Sequence, residues 1–253
     1  MSRIDTIFSD GKKKVIPFIV AGHPSLDKTE SILLALDAAG ADVIEIGIPF
    51  SDPIADGPVI AAAMHQALKM GCTPSDVIGV LSRVRSQLKA GIVAMVSHSI
   101  VRKSGGRAFI ERLAECGFDG VIIPDIDGDE AQIMCTYCKE INIAFIMLVA
   151  PTTAIERVKT QADYSSGFLY ILARTGLTGE QAEMPDISER IHKIRTVTDL
   201  PLAVGFGISN AEHVESVHKV ADAAIIGSAL VRRLGEAKDP VTSATQFLKE
   251  ILQ

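Results

Sequence analysis

The chain has 253 residues, 47% of them hydrophobic and 22% charged, which suits a soluble protein with a sizeable core. Its formal net charge of −6 argues against non-specific binding to DNA, RNA or anionic lipid. No apolar run reaches the roughly 18 residues a membrane-spanning helix needs.

Taken in order, short β-rich runs alternate with longer amphipathic ones. The first run, VIPFIV (15–20), follows three lysines but is short, β-rich and broken by Pro17. It reads as a strand, not as the apolar part of a secretory leader. The loop behind it, AGHPS, lacks the glycine fingerprint that opens a dinucleotide-binding unit. Further strands are predicted at 42–47, 92–97, 119–124, 143–149, 167–172, 201–206 and 222–226. Helical patterns fall near 27–39, 58–68, 74–89, 105–116, 129–141, 154–162, 186–198 and 210–219, and a last one near 240–251. The four cysteines include one C-x-x-C, Cys135 and Cys138, inside a helical pattern with no second pair. They read as ordinary helix cysteines in a reducing cytoplasm, with no metal site.

The strands are near-continuous apolar runs, the mark of strands covered on both faces. GADVIEIG (40–47), GFDGVIIP (117–124) and VADAAIIG (220–227) share one plan: a small residue, an Asp, then a strand. Eight strands, each followed by a helix, in about 250 residues describe a (β/α)8 barrel, and an open doubly wound sheet is the rival. Nothing linker-like divides the chain, so one barrel domain over 1–253 is expected.

Strand 42–47 contains an acid. Side chains alternate along a strand, so Val43, Glu45 and Gly47 share one face while Ile44 and Ile46 share the other. The isoleucines suit the helix-facing layer, which turns Glu45 into the barrel near the C-terminal end of its strand, where barrel enzymes keep their chemistry. A carboxylate buried there needs a partner or a raised pKa, and a pKa near neutrality suits general acid–base work. No predicted strand contains a Lys or Arg to pair with it. The loop behind, IPFSDPIADGP, is stiffened by Pro49, Pro53 and Pro58 and carries Asp52 and Asp56. Asp52 reads as a loop-stabilising residue. Asp56 is either the N-cap of the next helix or a second carboxylate aimed at Glu45.

The last two strands end in glycine, in GFGIS (205–209) and IIGSALVRR (225–233). Glycines before a helix N-terminus suit a phosphate, and barrels often bind one after strands seven and eight. A long Gly/Thr-rich stretch after strand six, 173–185, fits a lid over substrate.

FIVAGHP, GADVIEIGIPFSDPIADGP, GLTG, GFGIS and IIGSALV, in this order and spacing, resemble the tryptophan synthase alpha subunit family. The similarity runs from about residue 1 to 235. It implies a (β/α)8 barrel that cleaves indole-3-glycerol phosphate to indole and glyceraldehyde 3-phosphate without cofactor or metal. It also implies a PLP-dependent beta subunit as partner, in an alpha2beta2 complex. Carried over by motif, the catalytic acids are Glu45 and Asp56, with Tyr170 on strand six and Thr178 and Gly179 in the lid. The phosphate residues become Gly207, Gly227 and Ser228, and the ring contacts Phe18, Ile122, Phe206 and Ile225. Ile122 and Ile225 stand three places after Asp119 and Asp222, as Glu45 stands after Asp42, so all three are expected to face one cavity. The chain departs from the family at MVSHSIVRKSGG (95–106), at Asp127 in PDIDGDE, and at His23, where the family's first loop usually has Asp. His98, in the first of these loops, reads as incidental because no acid pairs with it in sequence. Two other readings keep the site: a free-standing indole-releasing lyase, or a weak regulatory partner of a beta subunit. A barrel isomerase for another sugar phosphate fits the glycines but leaves PFSDPIADGP unexplained.

Overall fold

The structure, a computed structural model, describes residues 2–53, 56–173, 187–205 and 207–253. Within them the elements are α1 (Arg3–Phe8), β1 (Lys14–Val20), α2 (Leu26–Ala39), β2 (Val43–Gly47), α3 (Pro58–Lys69), α4 (Pro74–Val84) with a 3₁₀ turn (Arg85–Gln87), and β3 (Gly91–Met95). Next come α5 (His98–Lys103), α6 (Arg107–Glu115), β4 (Gly120–Ile122), α7 (Gly128–Glu140), β5 (Ala144–Ile146), β6 (Leu148–Val149) and α8 (Ile155–Tyr164). The chain ends with β7 (Leu169–Leu172), α9 (Ser188–Arg195), β8 (Leu202–Gly205), α10 (Ala211–His218), β9 (Ala223–Ile226), α11 (Ser228–Glu236) and α12 (Pro240–Ile251).

All strand pairs are parallel, in the order β5-β4-β3-β2-β1-β9-β8-β7-β6. The two ends of that order, β5 and β6, are separated only by Met147, so the chain itself joins them into a barrel. The apolar run predicts one strand over 143–149. Here two serines interrupt it: the Phe145 amide donates to Ser166 Oγ at 3.0 Å and the Met147 amide to Ser165 Oγ at 3.2 Å. Side-chain acceptors thus take bonds that a neighbouring strand would otherwise accept.

The register shows the closure. Phe18, Glu45, Val93, Gly120 and Ala144 are successive partners, and so are Leu148, Tyr170, Ala203, Ala223 and Lys14. Four residues separate Ala144 from Leu148 and four separate Lys14 from Phe18, a stagger of eight in one circuit. That is the shear of a (β/α)8 barrel. Partners across parallel strands share a face, and so do alternate residues along each strand. Glu45, Ile122 and Ile225, which the repeat groups together, therefore lie on one inner face, and Phe18 and Tyr170 lie on it too. Ile44 and Ile46 face the helices.

The repeated Asp also finds a structural reason. Asp42 accepts the Val15 amide at 3.0 Å, Asp119 the Ile92 amide at 2.8 Å and Asp222 the Leu202 amide at 2.8 Å. Each lies just before its strand and holds the start of the neighbouring strand. Each also meets a cation: Lys14, Arg85 and Arg195 respectively. These clamps mark the N-terminal end of the barrel, the end that serves stability. One of them corrects the sequence reading, because Lys14 lies inside β1 and a strand cation does exist.

Candidate active site

Glu45 sits mid-strand in β2 and is only 1% exposed. Neither carboxylate oxygen has a hydrogen-bond partner among the described residues. Burial, and secondarily the nearby Asp56 charge, push its pKa up to about 8. The buried cation on the same inner face, Lys14, stands four residues below Phe18, Glu45's neighbour on β1. At roughly 3.3 Å per residue that is about 13 Å away along the strand. Lys14 is held there by Asp10 at 2.8 Å and Asp42 at 3.6 Å. The ion-paired reading of Glu45 therefore has no cation to support it among the described residues.

Asp56 is not a helix cap. Gly57 occupies that position of α3 with no side-chain bond, and Pro58 supplies the first helical residue. The Asp56 amide instead donates to the Pro53 carbonyl at 3.0 Å. This leaves its carboxyl available to the site, where burial raises its pKa to about 6. The mutual repulsion falls on Glu45, the later of the two to ionise, because Asp56 loses its proton while Glu45 is still neutral. Asp52 accepts the Ser51 hydroxyl at 2.7 Å and serves the loop, as its sequence context suggests.

Tyr170, on β7, is the third member of this electrostatic cluster. Its phenol pKa is pushed well above the ordinary value by burial, then by Glu45 and Asp56. Two glycines make room for the aromatic rings. A Cβ at Gly205 would overlap the Tyr170 phenol, and one at Gly47 would come within 2.7 Å of the Phe18 ring. Sequence reading missed both as site residues. The signal was present, since each is a glycine on the inward alternation of a strand, where a close approach is the usual reason for it.

Gly207 has φ +78°, a left-handed conformation that favours glycine. Gly227 immediately precedes α11, of which Ser228 is the first residue, and no side chain caps that helix. Its first-turn amides have no intrahelical acceptors and carry the positive end of the helix dipole. A Cβ on Gly227 would lie 3.5 Å from Phe18, so the glycine and that ring are close neighbours. Thr178, Gly179 and Phe206 lie outside the described residues, as does 174–185 of the lid stretch.

One expectation about another polar residue comes out differently. His98 does have an acid partner, Glu130 of α7, at 3.3 Å, and its amide donates to Asp125 at 2.7 Å. The acid arrives from the next βα unit, too far along the chain for local spacing to reveal. Cys135 and Cys138 are unpaired and buried in α7, and burial pushes the Cys138 thiol up to about 12. No group of three or more His, Cys, Asp or Glu among the described residues is arranged to hold a metal ion.

A family model described as tryptophan synthase alpha chain matches residues 4–253. The chain belongs to the tryptophan synthase alpha chain family. It is 43% identical over 224 residues to the tryptophan synthase alpha chain of Rippkaea orientalis, covering 88% of this chain and 84% of that one. The alpha chain of Synechococcus elongatus is 42% identical over 230 residues, with 90% and 86% covered. Among solved structures, tryptophan synthase from Mycobacterium tuberculosis superposes with a TM-score of 0.91 at 31% identity, with 99% of this chain and 96% of that one covered. Tryptophan synthase subunit alpha from Legionella pneumophila gives 0.91 at 32% identity, with 99% and 97% covered. The protein is thus a TIM-barrel lyase of tryptophan biosynthesis that cleaves indole-3-glycerol phosphate. Its family works with a beta subunit. No helix among the described residues is long and apolar enough to cross a membrane.

Proposed function

We propose that Glu45 and Asp56 are the proton-handling pair of the cleavage reaction and that Tyr170, Phe18, Ile122 and Ile225 line the indole site. The observation that carries this reading is the state of Glu45: buried, unpartnered among the described residues, and raised to about 8 beside a second acid at about 6. At neutral pH this pair holds one proton on Glu45 and a negative charge on Asp56. The proton goes from Glu45 to indole C3. Asp56 meets the indole N–H, where positive charge builds as C3 becomes tetrahedral. The glycerol chain's adjacent hydroxyl then loses its proton to the Glu45 carboxylate, and its C–O electrons form the aldehyde. The bond to C3 breaks, and its electron pair restores the indole. One carboxyl both gives and takes a proton, which requires a pKa near the working pH.

The phosphate is assigned to Gly207, Gly227 and Ser228, supported by the left-handed glycine and the uncapped helix start. Thr178 and Gly179 are assigned to the lid and Phe206 to the ring wall, on family resemblance alone. The partner is assigned as a PLP-dependent beta subunit in an alpha2beta2 complex, and the location as the cytoplasm, which suits four unpaired cysteines. The deciding assay is indole release from indole-3-glycerol phosphate by the purified chain, with and without the beta subunit. Slow cleavage alone and a large acceleration with the partner support the assignment. Full activity alone supports a free-standing lyase, and no activity in either condition a regulatory partner.

A further inference from the structure

His23 lies in the loop between β1 and α2 and is given no catalytic role, yet it is only 8% exposed. Both ring nitrogens are engaged. Nδ1 lies 3.0 Å from Gln66 Oε1 of α3, and Nε2 lies 3.3 Å from the Val231 carbonyl of α11. Both partners are carbonyl oxygens and only accept, so the neutral ring that burial favours donates to one of them at a time, and both bonds form together when the ring is protonated. Gln66 is itself anchored, its amide nitrogen lying 3.4 Å from the Pro24 carbonyl.

The far wall of this socket is a glycine inside a helix. A Cβ at Gly235 of α11 would come within 2.9 Å of Nε2 and 3.0 Å of Cε1. Glycine is a poorer helix former than alanine, so its place near the end of α11 points to a packing reason. The imidazole supplies one: α11 gives up a side chain so that the ring can reach Val231.

The two helices joined by His23 carry the two halves of the site. α3 starts two residues after Asp56, and α11 starts at Ser228 beside Gly227. We propose that His23 is a positioning residue: it clasps α3 to α11 and thereby fixes the spacing between the Asp56 loop and the anion cradle. This rests on the assignment of Gly227 and Ser228 to phosphate. A substrate that spans cradle and acids is sensitive to that spacing, whereas a ligand that fills only the cradle is not.

The test compares wild type with His23→Ala, His23→Gln and Gly235→Ala, each assayed with its beta subunit. Two quantities are read: kcat/KM for indole-3-glycerol phosphate, and the inhibition constant of inorganic phosphate. The clasp predicts that His23→Ala lowers kcat/KM by about tenfold or more, since small misplacements of a reacting group are costly. Phosphate inhibition should stay within about twofold. His23→Gln, whose amide nitrogen reaches as far as Nε2, recovers most of the loss. Gly235→Ala reproduces it by displacing the imidazole, although alanine is the better helix former. Unchanged kcat/KM in His23→Ala overturns the clasp, and so does phosphate weakened in parallel with substrate. A wild type that cleaves but ignores phosphate refutes the cradle assignment and the clasp with it.

Discussion

Replacing Glu45 by glutamine keeps the shape of the side chain and removes its ionisation. The folded chain holds the Glu45 proton to about pH 8, against a reference value of 4.5. Between those two values the native state is protonated while the unfolded chain is not, so native stability falls as pH rises through the window. At 1.36 kcal/mol per unit, the cost at pH 7 is about 3 kcal/mol. Glutamine escapes that cost but buries an amide without a partner, which returns about 1–2 kcal/mol. The net expectation is a variant more stable than wild type by about 1–2 kcal/mol at pH 7, or about 2–8 °C in Tm for a chain of this size. Its kcat falls by at least about 100-fold. The decisive assay is urea unfolding of both proteins at pH 5.5 and 7.5. The stability difference should move in the variant's favour by on the order of 2 kcal/mol between these pH values. A difference that stays flat with pH, or near-normal turnover by the variant, refutes the reasoning.

The pH profile of kcat/KM should rise through about 6 as Asp56 loses its proton and fall through about 8 as Glu45 does, with both values belonging to the coupled pair. Asp56→Asn should abolish the acid limb and lower the plateau by about 100-fold. Gly47→Ala forces a Cβ to within 2.7 Å of the Phe18 ring. It should raise KM and destabilise the fold by about 1–3 kcal/mol, readable by kinetics and thermal melting. Asp119→Ala removes the acceptor of the Ile92 amide and the partner of Arg85 at the opposite end of the barrel. It should lower stability by about 2–4 kcal/mol and leave kcat near the wild-type value.

Much of the fold was legible from apolar runs alone. Strands covered on both faces carry no polar alternation, so VIPFIV and IVAMVS announce themselves, and helix starts such as Thr73–Pro74 carry their capping residues. The break at Met147 was not legible, because it depends on Ser165 and Ser166 arriving from the next unit. The same limit hid the His98–Glu130 pair and the socket around His23, whose walls are 43 and 208 residues away in sequence. Asp56 shows the limit within one loop. Spacing left it between helix cap and site acid, and only backbone geometry gave the cap position to Gly57.

The sequence by itself determined the barrel, the family and the inward face of Glu45, because strand alternation and motif spacing are local properties of the chain. Only the tertiary structure decided the protonation of the acids, the reason for Gly47, Gly205 and Gly235, and the carboxylate clamps at the far end. Those depend on which groups from distant segments exclude water from one another, and desolvation is a property of the assembled interior that no local stretch of sequence contains.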